Sequence, residues 1–216
     1  PKKGEIHFAG ALENNEDTGT LQYLASTAME AGFSTRVLDM QALDLQNGRF
    51  FDPAGELVNR CFKLYPWEWM VDESPDGCLA EMEWLEPIWK LVMSNKAILA
   101  TLYELFPDSP YVLPCYLSRP RSGLFCKKPV FSREGHNVSV VDIRDWEEYV
   151  RIAETEGDYN TGTYVYQEYV EPTAYSGRYP VIGSWIIGGE AAGIGIRENR
   201  MEVTDNLSEF VPHIIG

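Results

Sequence analysis

Apolar positions recur with two different periods along the first forty residues. Residues 5–9, Glu-Ile-His-Phe-Ala, form a short run suited to a buried strand, and in the stretch 17–33 Leu21, Leu24, Ala28 and Met29 fall close to helical spacing. Gly32 follows as a helix stop, and residues 34–40, Ser-Thr-Arg-Val-Leu-Asp-Met, read as a second strand. Strand, helix and strand in this order predict a βαβ unit with parallel strands, and so an α/β fold.

Farther along, the pattern shortens. Residues 46–65 carry two turn signals, Asn47-Gly48 and Asp52-Pro53-Ala54-Gly55, between β-prone runs, which predicts a hairpin or meander. Residues 86–105 place Pro87 in a first turn and then run through strong helix formers, with Lys96 on or near that helix. Residues 109–117 and 124–131 read as strand pieces on either side of a basic loop at 118–123. Residues 145–156 read as an acidic helix, 163–170 as a strand, and 179–198 as two Val/Ile-rich strands joined at Gly188-Gly189. The polar, turn-rich segment 72–77 lies where a boundary between two lobes is expected, dividing the chain into 1–85 and 86–216.

Composition narrows the class. With 216 residues, 44% hydrophobic and 12% aromatic, the chain has enough apolar surface to build a sizeable core. No apolar run approaches the roughly 20 residues that span a bilayer, and the first residues lack a signal-peptide core, so a soluble, cytoplasmic protein without membrane partners is expected. A formal charge of -15 argues against nucleic acid as a partner, because neutralising phosphates takes clustered Lys and Arg. Against that background Arg119, Arg121, Lys127, Lys128 and Arg133 form a local basic island, either a seat for a small anion or a solvated loop. Cys61, Cys78, Cys115 and Cys126 show no C-x-x-C spacing and read as reduced structural thiols, with no metal ligands among them. His7 and His213 read as structural, and Trp67, Trp69, Trp84 and Trp89 as core and packing residues.

The stretch 127–138, KKPVFSREGHNV, carries the candidate chemistry. It lacks the Walker A pattern, which needs G-x-x-x-x-G-K-[ST]. A Ser-Arg-Glu-Gly-x-Asn turn can nevertheless present backbone N–H groups to phosphate oxygens, with Gly135 permitting close approach, Lys128 supplying a point charge and Arg133 a fork. The same spacing also suits a charged turn between two strands.

Six segments together resemble one family: FKLYPWEWM (62–70), WLEPIWKLVMSNKAIL (84–99), KKPVFSREGHNV, YVYQEYV (164–170), YPVIGSWIIGGEAAGIGIRE (179–198) and DNLSEFVPHII (205–215) are similar to glutathionylspermidine synthases, in particular bacterial homologues without an amidase domain. The resemblance implies an ATP-grasp fold preceded by a Rossmann-like preATP-grasp lobe. It implies an ATP-dependent carbon-nitrogen ligase that joins a small-molecule or peptide carboxylate to an amine such as a polyamine, through an acyl phosphate. By the same resemblance Lys96 and Lys128 match lysines that contact ATP phosphates, and Ser132, Arg133, Glu134, Gly135 and Asn137 match the loop that covers them. Gln167, Glu168, Tyr169 and Val170 match the hinge that reads adenine, with Glu168 and Val170 as backbone contributors, and Arg197 matches the catalytic arginine. His136 departs from the family pattern, where a small residue is expected. Magnesium is implied as well, but the family's metal-binding Arg-x-Asp and Glu-x-Asn elements are not found in residues 1–216, so its ligands are expected upstream. The chain is therefore expected to be a fragment, truncated at its N-terminus and inactive alone. The alternative is a nucleotide-binding or interaction module without catalysis.

Overall fold

The computed structural model describes residues 3–144, 149–159, 162–203 and 208–214. The chain divides into two compact units, Pro1–Ser94 and Asn95–Gly216. No helix among the described residues is long and apolar enough to cross a membrane.

The N-terminal unit is built on strands β1 (Glu5–Gly10), β2 (Ser34–Asp39), β6 (Arg60–Leu64) and β7 (Glu83–Trp84), ordered β2-β1-β6-β7 and all parallel, as the βαβ pattern predicts. Helix α1 (Asn15–Glu30) starts at Asn14, whose side chain accepts the Glu16 N–H at 2.9 Å, and buries Leu21 and Ala25 against Ile6 and Phe8. Gly10 lies where this helix meets the strand ends: a Cβ there would be 2.9 Å from Leu21 Cδ1 and 3.1 Å from the Leu64 carbonyl oxygen. Strands β3 (Asp44–Gln46), β4 (Arg49–Phe51) and β5 (Leu57–Val58) form the expected antiparallel meander, its first turn made by left-handed Asn47 and Gly48 at φ 52° and 75°. Strand β6 leaves that meander to pair with β1. Helices α2 (Trp67–Glu73), α3 (Pro75–Cys78) and α4 (Lys90–Ser94) complete the unit. Trp67 packs edge-on to Trp84 in the core, whereas Trp69 and Trp89 are exposed, so only two of the four tryptophans behave as core residues.

The C-terminal unit begins with α5 (Ala97–Leu105), so the single helix predicted over 86–105 is two helices. The break has one local and one distant cause: the Asn95 side chain accepts the Ala97 N–H at 2.9 Å, and the Lys96 N–H donates to Val130 O at 2.8 Å instead of to a helical carbonyl. Strands β8 (Cys115–Tyr116), β9 (Gly123–Pro129), β10 (Ser139–Ile143), β11 (Tyr149–Glu154) and β12 (Tyr164–Glu168) form an antiparallel sheet ordered β11-β10-β9-β12-β8. One of its faces packs on α5 through Ala100, Cys115, Val130 and Val165. Strand β11 corrects the acidic helix expected over 145–156. Its residues pair with β10 and Tyr149 packs on the Phe125, Val141 and Ile143 cluster, so tertiary pairing overrides local propensity, while residues 145–148 lie outside the described residues. A second antiparallel sheet holds β13 (Tyr179–Ile187), β14 (Glu190–Asn199) and β15 (Glu209–Val211), with the hairpin turn at left-handed Gly188 and Gly189 as predicted. Of the 205–215 segment, 205–207 and 215 lie outside the described residues.

Candidate functional site

Alternation along β9 turns Cys126 and Lys128 to one face of the five-stranded sheet and Phe125 and Lys127 to the other. Lys127 places its ammonium 3.9 Å from the centre of the Tyr164 ring. Lys128 is paired in register with Val165, and its Nζ reaches diagonally to donate to Gln167 Oε1 at 2.7 Å. Gln167 is itself flanked across the sheet by Cys115 on β8 and Cys126 on β9. Burial pushes both thiols up in pKa and the Lys128 charge pulls them back, so both are protonated structural thiols near neutral pH.

Lys96 stands at the start of α5 and its Nζ donates to the Ser132 carbonyl oxygen at 2.5 Å and to Ser132 Oγ at 2.9 Å. It thus grips the first residue of the 132–137 loop. That loop turns through left-handed Glu134, Gly135 and Asn137, at φ 57°, 73° and 55°. Its outer wall is the segment after β11. The Asn137 side chain donates to Gly157 O at 2.8 Å and accepts the Tyr159 N–H at 2.8 Å. Thr155 Oγ1 donates to Gly135 O and accepts the Val138 N–H at 2.9 Å. His136, the departure from the family pattern, is accommodated by a glycine opposite: a Cβ on Gly157 would be 2.5 Å from His136 Cβ. The His136 ring also lies 5.9 Å from that of Tyr159.

At the end of β12 the Glu168 N–H donates to Pro114 O at 2.8 Å, and Pro114 has no N–H with which to return the bond to the Glu168 carbonyl. The Tyr169 N–H donates to Leu124 O at 3.0 Å, its hydroxyl donates to Glu202 Oε2 at 2.6 Å, and burial with that carboxylate raises its pKa. Val170 is exposed. Arg197 stands on the other sheet, opposite Val181 and Phe210, with its guanidinium carbon 5.9 Å from the Phe210 ring centre. The contacts therefore link Lys96 to Ser132 and Lys128 to Gln167, and hold Arg197 on a separate sheet.

Among the described residues no group of three or more His, Cys, Asp or Glu side chains is gathered to hold a metal. Sequence reasoning missed Thr155 and Tyr159, the anchors of the loop. The available signal was β-branched Thr155 two residues before Gly157, obscured by reading 145–156 as a helix.

The glutathionylspermidine synthase preATP-grasp family matches residues 1–216. A Haemophilus influenzae protein provisionally named an acid–amine ligase is 34% identical over 98% of this chain and 56% of its own length. The trypanothione synthetase of Crithidia fasciculata is 28% identical over 96% of this chain and 35% of its own. The bifunctional glutathionylspermidine synthetase/amidase of Escherichia coli K12 is 26% identical over 93% of this chain and 36% of its own. The chain spans about half, or less, of the length of these curated relatives. The crystal structure of D-cycloserine synthetase DcsG superposes with a TM-score of 0.53 at 14% identity, over 90% of this chain and 68% of that one, a likeness of fold alone. The α/β architecture is thus of the preATP-grasp and ATP-grasp kind that the sequence led us to expect, and with its full length matched by the family pattern the chain belongs to the glutathionylspermidine synthase preATP-grasp family.

Proposed function

We propose that this chain carries the nucleotide grip of an ATP-dependent carbon-nitrogen ligase. The observation that carries the reading is the pair of lysines drawn from different elements, each parked on a polar partner in the predicted site: Lys96 on Ser132 and Lys128 on Gln167. Ser132 and Gln167 are neutral acceptors, so in these hydrogen bonds an arriving triphosphate would replace an uncharged oxygen with an anionic one, the stronger partner for an ammonium. The loop from Ser132 to Asn137, with Arg133, Glu134 and Gly135 between, would offer backbone N–H groups to the phosphates. Gln167, Glu168, Tyr169 and Val170 would line the adenine. The Glu168 carbonyl, facing a proline, would serve as an acceptor for the exocyclic amine, with the Val170 N–H as a donor beside it.

ATP would supply the phosphoryl group that activates a carboxylate. The γ-phosphorus bonds to a carboxylate oxygen as ADP leaves, and the amine nitrogen then attacks the acyl carbon, expelling phosphate and losing a proton. Arg197 would hold the charge that develops on the transferred group. Magnesium would neutralise phosphate charge in such chemistry, and no group of three or more His, Cys, Asp or Glu side chains is gathered to hold it among the described residues. The relatives' names support a peptide-like carboxylate and a polyamine as the substrate classes. The test is calorimetric titration of the complete protein with ATP and Mg²⁺, followed by an assay of ADP release with glutathione and spermidine. Binding and release dependent on both substrates support the ligase; binding without release points to a nucleotide-binding module; no binding rejects the nucleotide grip.

A further inference from the structure

The N-terminal unit contains a cavity of about 280 Å³ at the amino ends of β1, β6 and β7, lined in part by Lys3, Glu5, His7, Asn59, Arg60 and Glu83. His7 is only 2% exposed, yet neither of its ring nitrogens makes a hydrogen bond among the described residues. Its Nε2 is 3.9 Å from Glu5 Oε2 and 4.0 Å from Asp52 Oδ2, both beyond hydrogen-bond reach. Burial outweighs the two nearby carboxylates and lowers the His7 pKa, so the ring is neutral, with one donor and one acceptor. A buried polar ring left without partners is uncommon enough to require a reason, and a ligand or ordered solvent in the adjoining cavity supplies one.

The charges around it are segregated. Asp52 is fully engaged, accepting from Arg36 and from the Ala54 and Glu56 N–H groups. Arg36 takes Glu5 Oε1 at 3.0 Å and leaves Glu5 Oε2 on the His7 side. Opposite in charge, Lys3 Nζ and the Arg60 guanidinium carbon each lie 5.8 Å from the Phe33 ring centre. Arg60 commits its Nε to Glu83 at 2.7 Å, and Lys3 has no ion pair among the described residues. The cavity therefore offers cations flanking one aromatic ring, one carboxylate oxygen, the Asn59 amide and an unsatisfied imidazole.

We propose that this cavity binds a small zwitterion of amino-acid to dipeptide size, its carboxylate held by Lys3 and Arg60, its ammonium by Glu5 Oε2, and one polar atom by His7. Its volume falls just below the range of drug-sized ligand pockets, which run from roughly 300 Å³ upwards, and so suits a smaller molecule. All of these residues belong to the N-terminal unit, so the proposal does not depend on the nucleotide grip.

Titration of the complete protein with glycylglycine, followed through its imidazole NMR signals, those of His7, His136 and His213 among them, tests it, with acetate and ethylamine as single-charge controls. A saturable shift confined to His7, at least tenfold weaker binding of either control, and at least tenfold weakening in Lys3→Ala support the site. Lys3 is exposed, so that variant should fold normally, and unchanged circular dichroism and Tm verify it. No saturable His7 shift, equal binding of acetate, or undiminished binding by folded Lys3→Ala would each overturn the proposal.

Discussion

Lys128 Nζ donates to Gln167 Oε1 at 2.7 Å across two neighbouring antiparallel strands, which holds the lysine extended along the sheet face. If that ammonium is the phosphate contact, Lys128→Met removes a charge-assisted bond and should weaken ATP binding at least about tenfold, or roughly 1.4 kcal/mol. Gln167→Ala frees the lysine without removing it and should cost less. Calorimetry on the complete protein measures both. ATP affinity untouched in a folded Lys128→Met variant would remove this lysine from the grip.

Arg197 stands on β14 rather than on the five-stranded sheet, so its loss should separate binding from turnover. Arg197→Ala is expected to slow ligation by roughly 10²- to 10³-fold while leaving ATP affinity within a few-fold, because a charge-stabilising group acts mainly as the charge develops. Arg197→Lys should recover little, since an ammonium lacks the planar fork. Steady-state kinetics with separate nucleotide titrations distinguishes this from a structural defect, which would lower both.

The parts of this fold that could be read from sequence were those whose signals are local. The alternation and helical spacing of residues 5–39 gave β1, α1 and β2, and the glycine pair at 188 and 189 gave the β13-β14 hairpin. The failures came where distant pairing decides the outcome. Nothing local in Tyr149–Glu154 says that β10 offers a free edge there, and nothing near Asn95 says that Lys96 will bond to Val130. The site behaved alike. Lys96, Lys128 and Gly135 could be chosen by residue type and motif, but Thr155 and Asn137 act as clamps only because β11 returns the chain beside the loop.

Thr155 gives that clamp a measurable weight. Its hydroxyl bridges Gly135 O and the Val138 N–H, and Val138 is only 8% exposed, so Thr155→Val leaves a nearly buried donor unsatisfied. A loss of about 1–3 kcal/mol in unfolding free energy is expected, with faster amide exchange at Val138. Unchanged exchange would mean that the Thr155 hydroxyl does not hold the loop at Val138.

Lys63 ties stability to pH in the N-terminal unit. It is 4% exposed, donates to Tyr65 O at 2.6 Å and stands 3.8 Å over the Trp67 ring, and burial, opposed by Glu86 and Glu68, lowers its pKa to about 8. Below that value both the folded and unfolded chains carry the proton, and the folded state bears the full penalty of a buried ammonium. Between about 8 and the ordinary 10.5 the unfolded chain keeps a proton that the folded chain has shed, so this group's contribution to stability rises with pH. Cys61 and Tyr65, both pushed up to about 12 chiefly by burial, act in the opposite sense above their ordinary values. The Lys63 part is therefore read from the difference between wild type and Lys63→Met in urea unfolding from neutral pH to pH 10.5. That difference should move in favour of wild type as the pH rises, and a flat difference would show that Lys63 keeps an ordinary pKa.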